Sequence, residues 1–250
     1  MCFFTSYCTI LCMKIILADY GQYSLFRKSH NPHNRSFGLG YLLNQLHHQH
    51  TPDSFQVHLI INHALLPNEY DYLMQKYPFI KSIHYRSTNR GFDFGAYNEG
   101  YHYLKQINYS GQVIFMNSVC DIHTPHFLSE YDLLFHSEPN IGVCSATYNG
   151  LAFQKNINLF NYKPNCQSYF LFTHMTILSH VFPDHLPGYL ETTKKNVIIH
   201  GEVAFSTQLL LQGYRLKAKL HGFSYAKNEP WIWGPDHFDR QTFLNTRYKV

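Results

Sequence analysis

Charge is scarce in this chain: Asp, Glu, Lys and Arg make up 14% of its 250 residues. With 20 Lys and Arg against 16 Asp and Glu, the formal charge is only +4. That surplus is too weak to argue for a nucleic-acid partner, and it suits an anionic membrane surface or a phosphate-bearing ligand. There is no CxxC pair and no regular cysteine framework. Cys2, Cys8 and Cys12 crowd the first twelve residues, while Cys120, Cys144 and Cys166 lie apart in apolar, strand-like surroundings. The expectation is buried thiols in a reducing compartment rather than disulfides. Nor is there a long apolar run. The opening MCFFTSYCTILC is about half the length that spans a bilayer, and it lacks a basic n-region and a small-residue cleavage site. Met13-Lys14 followed by IILADY reads as a natural start with an immediate strand. Residues 1–12 then read as a mis-assigned extension, with a short hydrophobic anchor as the alternative. Fourteen Gly and 11 Pro are ordinary amounts that exclude collagen-like and low-complexity classes.

What is abundant is aromatic and apolar: 20 Tyr, 20 Phe and 18 His, with 45% hydrophobic residues overall. Such a composition buries enough surface to offset chain entropy, which excludes disorder. Helix and strand signals alternate. Ile15–Ala18 is an apolar run, and Leu39, Leu42, Leu43 and Leu46 have the spacing of one helix face. Val57–Ile61 reads as a strand, and Pro67 opens a helix with Tyr70, Leu73, Met74 and Tyr77 on one side. Ile83–Arg86, a helix through Tyr97, Tyr101 and Leu104, and a strand at Val113–Asn117 follow. A helix near Pro125–Phe135 and a strand at Gly142–Ala146 continue the rhythm. The pattern predicts an α/β fold of Rossmann type, a mostly parallel sheet with helices on both faces. Beyond it, 147–165 reads as a long loop, Ser168–Phe172 as a strand and Glu202–Gln212 as a helix closed by Gly213. Tyr214–Leu220 alternates, with Arg215, Lys217 and Lys219 on one face. No internal repeat or linker divides residues 13–250, which read as one domain.

The stretch STNRGFDFGAYNEG, Ser87 to Gly100, carries the most chemistry. It follows a predicted strand and opens a helix, the place where α/β sheets bind ligands. Gly91 and Gly95 would let backbone approach a ligand, and a helix N-terminus offers N–H groups to phosphate. Asn89 and Asp93 supply polar groups for a ribose or base. The alternative is a tight turn whose glycines only satisfy geometry.

This stretch resembles the hallmark of the rhamnan synthesis protein F family, glycosyltransferase-like proteins of bacterial surface polysaccharide assembly. VIFMNSVCDIHTP (113–125), NCQSYFLFT (165–173) and GEVAFSTQLLLQGY (201–214) resemble three further family stretches in the same order. The resemblance covers roughly residues 55–220. It implies a GT-A-like fold and transfer of a sugar, rhamnose or another deoxyhexose, from a nucleotide-diphosphate donor (dTDP- or UDP-linked) to a growing glycan. It also implies Glu202 as the general base that takes the acceptor proton, with Asp93 as the fallback carboxylate. Donor contacts would come from Asn89, Gly91, Asp93, Gly95 and Asn117, and acceptor contacts from Gln167 and Tyr169. A cytoplasmic protein, peripheral at the inner membrane face, would meet a glycan or lipid-linked acceptor there.

The match departs from the GT-A pattern at the metal. Where an Asp-x-Asp would hold Mn²⁺ or Mg²⁺, this chain reads Asn117-Ser118-Val119-Cys120-Asp121, leaving Asn117 and Asp121 as candidate oxygen ligands. Turn and N-cap roles are the alternative for those two residues, and a turn stabilising the helix dipole is the alternative for Glu202. The departure keeps open a catalytically inactive nucleotide-sugar or carbohydrate-binding module. A third reading, a His-rich metal protein, draws on His47, His48 and His50, on His30 and His33, and on His200 and His221. No HExxH supports it. Trp231 and Trp233 could stack on sugar rings or cap the core.

Overall fold

The computed structural model describes residues 12–20, 25, 27–28, 36–49, 54–62, 64–122, 124–149, 165–219 and 224–226. The expectations placed on His30, His33, His50, His221, Trp231, Trp233, residues 1–11 and residues 150–164 lie outside them.

The first half is laid down as strand and helix in turn. Strand β1 (Met13–Asp19) is followed by a short pair, β2 (Arg27–Lys28) and β3 (Ser36–Phe37), and by helix α1 (Leu39–Gln49). Then come β4 (Phe55–Ile61), α2 (Pro67–Lys76), β5 (Ile80–Tyr85), α3 (Phe92–Gln106), β6 (Gln112–Asn117), α4 (Phe127–His136) and β7 (Ile141–Ser145). The second half contributes the pair β8 (Tyr148–Asn149) and β9 (Asn165–Cys166), then β10 (Phe170–His174) and α5 (Met175–Val181). Helices α6 (Lys194–Val197) and α7 (Ala204–Leu211) are joined by a π-helical turn, Ile198–Val203, and followed by β11 (Arg215–Ala218) and β12 (Ser224–Tyr225).

Eight strands form one sheet in the order β12-β11-β7-β10-β6-β1-β4-β5, and four of its seven pairings are parallel. The fold is α/β with helices on both faces. Because strand side chains alternate, Ile15 and Leu17 of β1 join a core with Leu42, Leu46, Leu73, Phe127 and Tyr131 from α1, α2 and α4. Ile16 and Ala18 join the opposite core, with Phe94, Tyr97, Leu178, Val197 and Phe205 from α3, α5, α6 and α7. Burial of each such side chain contributes about 1.5–3 kcal/mol.

Edge strand β12 and one inner strand run against the rest. β10 lies antiparallel between β6 and β7, so its N-terminal end meets the carboxyl ends of β6 and β7. Residues 165–169 are thereby delivered to the edge where Asn117 ends β6.

Two local expectations change. The strand expected at Ser168–Phe172 begins at Phe170, because the Ser168 N–H and C=O bond Glu202 and Tyr97 instead of a neighbouring strand. The helix expected to start at Glu202 starts at Lys194, where the Thr193 hydroxyl accepts the Asn196 N–H at 3.2 Å. Glu202 is therefore not in a first turn. β11 is flanked by β7 and β12, and its basic face is matched: Lys217 and Arg215 meet Glu138, and Lys219 meets Glu130 at 2.6 Å. Cys12, Cys120, Cys144 and Cys166 are thiols, and the last three are buried.

Candidate functional site

The loop from β5 to α3 is organised by a residue that pattern reading passed over. Arg86 is buried at the end of β5 and donates to Glu99 Oε1 (2.7 Å), the Arg90 carbonyl (2.6 Å) and Asn62 Oδ1 (3.2 Å). Its planar fork ties the loop to β4 and to α3 at once. Within that frame Gly91 is left-handed (φ 71°), and so is Phe92 (φ 47°). A bulky residue there is a backbone outlier of the kind found at functional sites.

The two glycines serve the chain's own packing. A Cβ on Gly91 would sit 2.2 Å from the Tyr189 carbonyl oxygen, and one on Gly95 2.3 Å from Arg86 Nη2. The Gly91 N–H donates to the Glu191 carbonyl (2.6 Å), and the Gly95 N–H closes the helix onto the Gly91 carbonyl (3.0 Å). Exposed Asn89 accepts a hydrogen bond from Asn62.

The turn aims Asp93 at the carboxyl edge of the sheet, where three separate stretches meet. Asp93 Oδ2 accepts from Asn117 Nδ2 and from Ser168 Oγ, both at 3.1 Å. Asn117 Oδ1 accepts the Val119 N–H at 3.2 Å, which fixes the amide with its NH₂ toward Asp93. Glu202 Oε1, in the π-helical turn, accepts both Ser168 Oγ (2.7 Å) and the Ser168 N–H (3.2 Å). Tyr97, one helical turn after Asp93, donates to the Ser168 carbonyl at 2.8 Å. Backbone and side chain of Ser168 are thus held from three sides, and π-helical turns recur at functional sites.

A serine hydroxyl has one proton, yet Ser168 Oγ faces two carboxyl groups. The shorter of the two contacts is to Glu202, so the hydroxyl donates to Asp93 only when it turns from Glu202. Burial pushes the Asp93 carboxyl above its ordinary range, while hydrogen bonds from Asn117, Ser168 and Tyr20 and the charge of Lys194 oppose that. Asp93 Oδ1 is buried with no hydrogen-bond partner. A carboxylate held on two donors, as Glu202 is, has the orientation needed to take a proton from a hydroxyl placed beside it.

Other expected site residues stand elsewhere. Asp121 accepts from Gln45 Nε2 of α1 at 2.7 Å. Gln167 accepts from Thr147 Oγ1, and the Tyr169 hydroxyl meets the same oxygen, both at 2.7 Å; both side chains are buried. His200 pairs with Glu191 at 2.7 Å. For Mn²⁺ or Mg²⁺ the donor set does not fit. The one side-chain oxygen of Asn117 is engaged by Val119, and among the described residues no three His, Cys, Asp or Glu side chains converge. Reading the sequence missed Ser168, Tyr97 and Arg86. Ser168 lay within the QSY stretch, and a cation closing a strand just before the glycine turn was the signal for Arg86.

No family model matches this chain, and no curated protein does. Solved structures with distant likeness include the following three. A cytidylyltransferase from Leptospira borgpetersenii serovar Hardjo-bovis is 12% identical, covering 68% of this chain and 63% of that one, with a TM-score of 0.40. S. aureus TarS 1–349 is 15% identical, covering 86% and 60%, with a TM-score of 0.49. The same fragment in complex with UDP is 14% identical, covering 79% and 55%, with a TM-score of 0.47. The chain spans less than two thirds of each. Likeness this distant assigns neither family nor activity.

Proposed function

We propose that this chain is a nucleotide-sugar-dependent glycosyltransferase of GT-A type, with Glu202 as the base. The observation that carries the reading is the convergence of Asp93 and Glu202 on Ser168, with Asn117 bonded to Asp93, at the carboxyl edge of the sheet. These residues come from the stretches that resemble the rhamnan synthesis protein F family. In the transfer step the acceptor oxygen bonds to the anomeric carbon and its proton passes to Glu202. The bond from that carbon to the donor phosphate breaks, and its electron pair leaves on the diphosphate. Catalysis comes from positioning the reactants and from a fixed carboxylate. The donor is a dTDP- or UDP-sugar and the acceptor a glycan or lipid-linked glycan on the cytoplasmic side of a membrane. No described helix is long and apolar enough to cross one. No step passes through a cation.

A second reading, an inactive binding module, is favoured by the missing Asp-x-Asp, where this chain reads Asn117-Ser118-Val119. Thermal unfolding with UDP, dTDP, GDP and CMP, each with Mn²⁺ or EDTA, tests both. A diphosphate at about 100 times its Kd adds roughly 2.7 kcal/mol to the folded state. A shift with one nucleotide, followed by sugar turnover that Glu202→Gln abolishes, supports the transferase. Binding without hydrolysis or transfer supports the module, and no shift with any nucleotide refutes both nucleotide readings.

A further inference from the structure

Once the chain's own hydrogen bonds are assigned, one acceptor at the site is left over. Asp93 Oδ2 accepts from Asn117 and faces Ser168 Oγ, Tyr20 also bonds this carboxyl, and Oδ1 is buried with no partner. A buried polar atom left so has lost its water without compensation, a cost that a ligand can remove.

The surroundings restrict that ligand. Asp93 and Glu202 both face Ser168, and Lys194 acts on Asp93 only through its field. An anion would meet two acidic groups, and an ammonium would suit only the ionised carboxylate. A hydroxyl both donates and accepts, so it suits Oδ1 whichever form Asp93 takes. The turn beside it offers phosphate little. The Gly91, Phe92 and Gly95 N–H groups donate to the carbonyls of Glu191, Asn89 and Gly91, and Arg86 fills the space over Gly95.

We propose that Asp93 Oδ1, beside Ser168 and Glu202, recognises a carbohydrate hydroxyl, and that phosphate groups of a bound donor lie away from the Asn89–Gly95 turn. The inference rests on the transferase reading only for which molecule carries the hydroxyl, the ribose of a nucleotide or a hexose.

Titration calorimetry tests it with UDP-glucose, UDP, methyl α-glucopyranoside and inorganic pyrophosphate, on the native chain, Asp93→Asn and Asp93→Ala. In Asp93→Asn the Asn117 NH₂ fixes the amide oxygen in the Oδ2 place, so the new NH₂ replaces Oδ1 and still donates to a hydroxyl. Hydroxyl-bearing probes should weaken about tenfold in Asp93→Ala and stay within about threefold in Asp93→Asn, with pyrophosphate unchanged. Equal weakening of UDP and UDP-glucose assigns the hydroxyl to ribose. Weakening of UDP-glucose and the glucoside alone assigns it to the hexose. Tighter binding of pyrophosphate or UDP by Asp93→Asn overturns the inference in favour of an anion. Equal loss in both variants overturns it in favour of a pure donor. Failure of the native chain to bind any hydroxyl-bearing probe overturns it as well. Asp93-dependent binding of the glucoside with no nucleotide binding upholds the inference and refutes the transferase reading. Unfolding midpoints of the unliganded variants separate lost binding from lost fold, and the isosteric Asp93→Asn keeps the test available if Asp93→Ala does not fold.

Discussion

Replacing Arg86 with Met should unlock the β5–α3 turn, and its cost can be worked out from the guanidinium's partners. The Arg86 side chain is 5% exposed, whereas that of its ion-pair partner Glu99 is 46% exposed. Glu99 regains water on mutation, so that pair contributes at most about 1 kcal/mol. The bonds to the Arg90 carbonyl and Asn62 Oδ1 are charge-assisted and inside the loop. A hydrogen bond from a charged group is worth about 1.5–3 kcal/mol, offset where the acceptor can rehydrate. Met keeps much of the stem packing. The sum is roughly 2–4 kcal/mol, or about 4–16 °C in Tm for a chain of this size. Urea unfolding at constant m measures it directly. Arg86→Lys should recover only part of the loss, because one ammonium cannot reach three separated acceptors. A loss below about 1 kcal/mol for Arg86→Met, or full recovery by Lys, refutes the assignment of Arg86 as the organiser of the turn.

Ser168→Ala removes the hydroxyl between Asp93 and Glu202. It should leave nucleotide binding intact and lower sugar transfer by about 100-fold, and undiminished turnover in a single-turnover assay contradicts this. Gly91→Ala places a Cβ against the Tyr189 backbone in a left-handed residue; a loss above about 2 kcal/mol by urea unfolding is expected, and near-neutrality argues against the observed loop geometry. His58 is buried, and burial, with the charges of Lys14 and His84, lowers its pKa from 6.5 to about 4. The unfolded chain then binds the proton first, so stability falls as pH drops from about 6.5 toward about 4, by on the order of 3 kcal/mol. His58→Gln should flatten that limb in unfolding midpoints taken across the range, and an unchanged slope assigns the acid sensitivity elsewhere.

Much of the architecture was legible where periodicity is local. The spacing of Leu39, Leu42, Leu43 and Leu46 marked α1, and all four are buried. Val57–Ile61 marked the body of β4. The glycine turn announced the carboxyl edge and put Asp93 at the site. The reversal of β10 was not legible, because strand direction is set by pairing with β6 and β7 and leaves no mark on a short apolar run. With it went the role of Ser168, which depends on residues 34 and 75 positions away in the chain. Glu202 was singled out through resemblance, but its place in a π-helical turn was hidden by a helix pattern that looks continuous. The two glycines show the opposite case, a motif that looks like a phosphate cradle and is occupied by the protein's own atoms.

The pairing of β8 with β9 bears on how this chain can diverge. Tyr148 faces Cys166 and Asn149 faces Asn165, and just inside that pair Thr147 bonds both Gln167 and Tyr169. The excursion between β7 and β10 therefore leaves and returns through two stems fastened to each other, directly before Ser168. The stems are tied by their own bonds, so Ser168 is held in register with Asp93 and Glu202 by residues on either side of the segment that joins β8 to β9. Such an arrangement works as a clasp: change on the stems is felt at Ser168 before it is felt anywhere else in the sheet.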